Sequence, residues 1–172
     1  MSGRKMPKQR PHKSEQAVGT PRAFLQAVEE RFGVIDWDLA ATASNAVTGK
    51  YLGPGASRGE DSLAVDWAML PGAVDGRLWI NPPFGKIAKF AAKCAEQAPA
   101  IDGEILMLVP ASVGTNWFAG HVHGNALVLA LRPRLTFVGH KDPYPKDLML
   151  VVFGRWVVPA FDLWRWKEEN PF

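Results

Sequence analysis

Cysteine is nearly absent from this chain. Cys94 is the only one in 172 residues, so no internal disulfide framework holds the fold, and the usage fits a reducing cytoplasm. No apolar run approaches the ~20 residues that a membrane span needs. No apolar core follows the basic N-terminus, as it would in a secretory leader. The expected location is therefore inside a cell. Acidic side chains are almost missing from the first 22 residues, where Arg4, Lys5, Lys8, Arg10, Lys13 and Arg22 face only Glu15. Residues 1–19 are polar and without periodicity, which predicts a disordered basic tail. Such a tail is either a solvated leader or an arm that follows a phosphate backbone. No metal centre is expected: His121 and His123 have no cysteine or acid beside them at a ligating spacing.

What is present suits one globular domain. Hydrophobic residues make up 47% of the chain and charged residues 22%, enough apolar content for a sizeable core. Folded structure is expected from Thr20-Pro21, where Thr20 can cap a helix and Pro21 suits its first position. Phe24, Leu25, Val28 and Phe32 then recur at helical spacing and Gly33 stops the helix. Val34–Leu39 reads as a strand that carries Asp36 and Asp38 on one face. Residues 40–59 are small, polar and glycine-rich, a loop long enough to be functional. Asp61–Trp67 reads as a short strand or a turn. Leu78–Ile80, Ile105–Val109, Leu127–Leu131 and Leu148–Phe153 read as further strands. Ile87, Phe90, Ala91, Cys94 and Ala98 mark one helix, and Trp117–His121 a short one. Apolar strands separated by helices predict an α/β sheet covered on both faces, mostly parallel with an antiparallel C-terminal part. The domain is expected to span 20–158, with 159–172 an aromatic and charged extension whose Trp164 and Trp166 pack back onto it.

The most chemical stretch is Asn81-Pro82-Pro83-Phe84, directly after the strand Leu78–Ile80. In open α/β sheets, ligands bind at the carboxyl ends of strands, and both Asp38 and Asn81 fall at such ends. An Asn side chain offers an acceptor oxygen, and Pro82 keeps a carbonyl while lacking an N–H. Two acceptors, the Asn81 oxygen and the Pro82 carbonyl, can therefore converge on one amino group, and Phe84 offers a flat face for a base. The exocyclic amine of adenine is a poor nucleophile because its lone pair is delocalised into the ring. Two acceptors on its two hydrogens localise that lone pair and stabilise the positive charge that develops on nitrogen during attack.

The motif resembles that of amino-group methyltransferases that use S-adenosylmethionine. More closely, the chain resembles the phage-type DNA N6-adenine methyltransferases, the small Dam-like enzymes. The segments that carry the resemblance are Thr20-Pro21 with Phe24, Ile35–Ala41 followed by Ser44, Asp61-Ser62-Leu63 with Trp67, Trp79–Gly85, Val109-Pro110 to Trp117-Phe118, and Arg134–Phe137. They cover about residues 20–154. The resemblance implies a single-domain Rossmann-like methyltransferase sheet and S-adenosylmethionine as cofactor. The implied substrate is DNA, double-stranded with the target base flipped out. It implies the cytoplasm of a bacterial host as the place of action and a phage or prophage as the carrier.

By the same resemblance, Asn81, Pro82, Pro83 and Phe84 form the catalytic motif. Thr20, Pro21, Asp38, Ala40 and Asp61 belong to the cofactor pocket, with Asp61 equally readable as a turn former. Lys86, Thr115, Asn116 and Trp117 are candidate substrate contacts; Lys86 and its helical neighbours Lys89 and Lys93 also fit a plain solvated face. One departure stands out. Asp38 is followed by Leu-Ala-Ala-Thr-Ala-Ser-Asn, with no glycine-rich turn, so small residues replace the usual close backbone approach. Three rival readings stay open at this level: methylation of RNA bases, methylation of protein glutamine, and a non-catalytic DNA-binding relative. No inserted recognition domain is visible, and residues 40–59 and 139–146 are the sizeable candidates for reading a target site.

Overall fold

A computed structural model describes residues 19–168. The expectation of a basic disordered tail falls on residues outside that range, apart from Gly19. The described chain is an α/β fold around a six-stranded sheet. Helix α1 (Arg22–Phe32) precedes β1 (Trp37–Asp38), β2 (Arg77–Ile80), α2 (Ile87–Gln97), β3 (Glu104–Pro110), β4 (Leu127–Arg132), β5 (Leu148–Phe153) and β6 (Ala160–Arg165). The spatial order is β1-β2-β3-β5-β4-β6. β1, β2 and β3 pair in parallel, β5 runs antiparallel to both β3 and β4, and β6 returns parallel to β4. This is the mixed, mostly parallel sheet that the sequence predicts.

Strand alternation sends side chains to two separate cores. Leu78, Ile80, Ile105, Met107, Val109, Met149 and Val151 face α2, which contributes Ile87, Phe90, Ala91 and Cys94. Trp79, Leu106, Leu108, Leu129, Leu150 and Val152 face α1, which contributes Phe24 and Val28. Both faces of the central strands are thus dry, and this is why those strands read as unbroken apolar runs. Full burial of a side chain such as Phe24 or Leu106 stabilises the fold by about 1.5–3 kcal/mol.

Two local expectations change, and of the two readings of Asp61–Trp67, strand or turn, the turn holds. The strand Val34–Leu39 shrinks to Trp37–Asp38. Its lead-in is held instead by Asp36, which accepts the Arg77 backbone N–H at 2.8 Å and whose own N–H donates to the Arg77 carbonyl. Asp61–Trp67 forms no strand; Ser62–Ala64 is a single 3-10 turn capped by Asp61. The sixth strand was invisible as a strand because its residues lie at a sheet edge and are mostly exposed, so no buried alternation marks it. The packing expected of its tryptophans is present. Phe24 meets the ring of Trp164 at 5.8 Å and that of Trp166 at 5.2 Å, and the Trp166 indole N–H donates to the Pro133 carbonyl at 2.6 Å.

Candidate active site

The carboxyl ends of β1, β2 and β3 line up across the sheet, because Asp38 pairs with Trp79 and Ile80 with Met107. Asp38, Asn81 and Pro110 therefore open onto one cleft of about 1030 Å³. Thr20, Ala40, Pro82, Pro83 and Phe84 share its lining. The far wall is the segment Phe137 with His140–Lys146. That size accommodates a nucleoside-sized cofactor and a base side by side, since sites for drug-sized ligands run to about 1,000 Å³.

The loop after β1 returns alongside it. Residues 50–52 run back beside β1: the Asp38 N–H donates to the Lys50 carbonyl, Leu52 N–H to Asp38, and Ala41 N–H to Leu52. The return is tight at Gly53, where a Cβ would stand only 1.9 Å from the Ala41 carbonyl oxygen. The arch between them brings the Val47 N–H to 3.1 Å from one Asp38 oxygen, while the Ala40 N–H reaches the other at 3.2 Å. Asp38 is 3% exposed. Burial pushes its carboxyl up to about 6, with the Val47 and Ala40 bonds pulling the other way. Near neutral pH it is a desolvated carboxylate bordering the cleft, with lone pairs beyond those two bonds. Such a group favours a cationic or hydroxyl-bearing ligand.

The Asn81 motif is held by both of its flanks. Ile80 before it is fully buried in the sheet, and Pro82 is buried as well. After it, the Lys86 N–H donates to the Pro83 carbonyl at 2.8 Å and closes a turn into α2. Among the described residues no hydrogen bond uses the Pro82 carbonyl. The Asn81 Nδ2 donates to Thr20 Oγ1 at 3.3 Å. That bond orients the amide so that its acceptor oxygen is left for a ligand. Thr20 is thus not a helix cap as expected. Pro21 occupies the cap position, and the Thr20 hydroxyl is turned to the site. Phe84 is 42% exposed, unusual for a phenylalanine beside two buried cores. Its ring lies 9° from parallel to that of Tyr144, with centroids 6.2 Å apart.

The cleft therefore gathers Thr20, Asp38, Ala40, Asn81, Pro82, Pro83 and Phe84. It does not gather the rest. Pro21 caps α1, with the Phe24 N–H donating to its carbonyl at 3.0 Å. Asp61 accepts the Leu63 N–H at 3.1 Å, capping its own turn, and lies outside the cleft lining. Lys86 is exposed at the start of α2, outside the lining. Thr115 donates to the Ser112 carbonyl at 2.8 Å, and Trp117 packs against the α2-side core and edge-on to Phe118. Asn116 is exposed between them. Helical and turn bonds close this segment on itself, and the Thr115 side chain serves the turn. Among the described residues no group of histidine, cysteine or acid could hold a metal. Sequence reasoning missed Asn45, Val47 and Tyr144 as cleft residues. The signal for Tyr144 was present: one aromatic in an otherwise polar, proline-flanked stretch.

The family model for DNA N-6-adenine-methyltransferase (Dam) matches residues 8–160. The chain belongs to the Dam family. It is also 30% identical over 117 residues to a DNA N-6-adenine-methyltransferase of Escherichia phage T1. That match covers 68% of this chain and 45% of the phage protein, so the chain spans about half the length of this Dam relative. The matched family region includes the whole cleft, from Thr20 to Lys146.

Proposed function

We propose that this protein transfers a methyl group from S-adenosylmethionine to the N6 amino group of adenine in DNA. The observation that carries the reading is the Asn81 amide, oriented by Thr20 and set beside the Pro82 carbonyl and the exposed Phe84 ring, in one cleft with the buried Asp38. Membership of the Dam family supports it.

The residues fit the cofactor by the chemistry of their donors and acceptors. Asp38 offers a desolvated carboxylate, Thr20 a hydroxyl, and Ala40 a small side chain that leaves room. When bound there, S-adenosylmethionine supplies an electrophilic methyl group on a positively charged sulfur. Asp38 would hold its hydroxyl or ammonium groups. Asn81 Oδ1 and the Pro82 carbonyl accept the two N6 hydrogens of the base, draw the nitrogen towards tetrahedral geometry and free its lone pair. The same two oxygens stabilise the charge that grows on nitrogen. The extra proton then leaves to water, so a strong base is not required before transfer. Phe84 stacks on the base. The substrate we propose is double-stranded DNA, in which the adenine must leave the helix stack to reach this position. The protein would act in the cytoplasm of a bacterial host, on behalf of a phage or prophage.

The test is incubation of the full chain with methyl-labelled cofactor and, separately, unmethylated DNA, RNA and a protein mixture. Mass spectrometry of the digested products should show N6-methyladenine from DNA. Label entering RNA or glutamine instead would overturn the reading, and so would DNA binding without any transfer.

A further inference from the structure

We propose that Tyr144 is the second aromatic wall of the base pocket, so that the flipped adenine is held between its ring and that of Phe84. The inference rests on the adenine reading and adds to it the residue that grips the other face of the base.

The two rings come from distant parts of the chain and meet only at the cleft. Phe84 follows β2, while Tyr144 lies in the loop before β5, and both line the same space. Their planes differ by 9° and their centroids are 6.2 Å apart. Two rings that grip a third between them must be parallel and about 7 Å apart, twice the ~3.5 Å contact distance. The pair already has the required parallel orientation; 6.2 Å between centroids is the spacing of an offset pair, which opens to that separation as a base enters. Phe84 is exposed and Tyr144 is partly buried against the α1-side core, so the pair stands at the edge of the core, where it lines the cleft.

Tyr144 is also held in place, as a wall must be. Phe137 meets its ring edge-on at 5.5 Å and 89°. The Tyr144 N–H donates to the Leu135 carbonyl at 2.7 Å. Pro143 and Pro145 on either side restrict its backbone. Arg134 clamps the end of the loop, with Nε on Asp147 at 2.9 Å and Nη1 on the Pro145 carbonyl at 3.3 Å. A loop that served only as a cover would need no ring aligned with Phe84. Stacking on two faces selects for a flat base and tolerates any sequence around it. Refusing thymine is then left to the two acceptors at Asn81 and Pro82, which demand an amino group.

The experiment compares the full-length protein with Tyr144→Ala, Tyr144→Leu and Tyr144→Phe, using unmethylated plasmid DNA and radiolabelled S-adenosylmethionine. Affinity for S-adenosylhomocysteine and the thermal midpoint are measured alongside. Loss of one stacking face should lower kcat/KM for DNA about 10- to 100-fold in the Ala and Leu variants. Phe should restore it to within about threefold, because the ring and not the hydroxyl is used. S-adenosylhomocysteine affinity should stay within about twofold in all three, which a general collapse of the cleft would not allow. A Leu variant as active as Phe would overturn the proposal while leaving the adenine reading intact, and it keeps the test decisive where Ala fails to fold. Loss of activity in Phe equal to that in Ala would also overturn it. A wild-type protein that methylates no adenine in DNA would overturn the adenine reading itself, and this inference with it.

Discussion

The cleft has two unlike walls. One is made of strand ends: Asp38 and Asn81–Phe84 follow directly from β1 and β2 and inherit their positions from the sheet register. The other is the loop 137–146, tied down by one exposed ion pair, a few backbone bonds and a ring-on-ring contact. The first wall is rigid because its backbone groups are paired and its neighbours are buried. The second rests on contacts that are individually weak. On the proposed function the difference becomes a division of labour: the acceptors, which must not move by even ~1 Å, would sit on the sheet, and the part that lets a base enter would sit on the loop.

The largest effect that would sharpen this comparison is at Asn81. Asn81→Ala removes one of two acceptors on the amine, and kcat should fall by about 10²–10³ or more, with the melting temperature little changed. An activity within tenfold of wild type would mean that the rigid wall does not carry the chemistry.

Asp38 comes next and supplies a pH signature. Its carboxyl stands at about 6 in the folded protein against an ordinary 3.8, so the unfolded chain gives up this proton first as pH rises. Folding stability from this group is therefore highest below about 4, declines between about 4 and 6, and is flat above. The difference of about two units corresponds to roughly 3 kcal/mol. Asp38→Asn should remove that slope in urea titrations run from pH 4 to 7. It should also abolish the gain in S-adenosylmethionine affinity expected in the wild type as the pH is raised through about 6, read by calorimetry.

Thr20 tests the contact that orients the rigid wall from outside the sheet. Thr20→Val removes the acceptor for Asn81 Nδ2 and frees the amide to flip; kcat should drop about 5- to 13-fold, in line with loss of about 1–1.5 kcal/mol. Thr20→Ser should recover most of it, while KM for DNA stays put. Equal losses in Val and Ser would reduce Thr20 to a packing role.

The smallest effect is expected at Arg134. Its partner Asp147 is 72% exposed at the side chain and Arg134 is 49%, so Arg134→Ala should cost under ~1 kcal/mol of stability in a urea melt. Because it loosens the loop wall alone, it should raise KM for DNA a few-fold and leave kcat unchanged. A loss in kcat as large as that at Thr20 would erase the distinction between the walls.

Much of this was readable along the chain. Leu78–Ile80, Ile105–Val109 and Leu148–Phe153 announce themselves because strands buried on both faces are unbroken apolar runs. Asn81–Phe84 stands out because its residue types are adjacent in sequence. The rest was not readable, for different reasons. Asp61 and Thr115 carry plausible chemistry but lie outside the cleft lining, their side chains bonded within local turns, a competition that residue type does not reveal. β6 escaped because an exposed edge strand has no apolar pattern to read. Tyr144 escaped because its partner is 60 positions away, at Phe84.

The sequence by itself determined the α/β class, the strand-end motif and the resemblance to the Dam-like enzymes, since each of these depends on neighbours in the chain. Only the tertiary structure decided that Thr20 orients Asn81 instead of capping α1, that Val47 joins Ala40 on Asp38, and that Tyr144 faces Phe84. Those are contacts between side chains and loops far apart in sequence. Burial in the sheet and closure of the loops select them, and no local propensity encodes either.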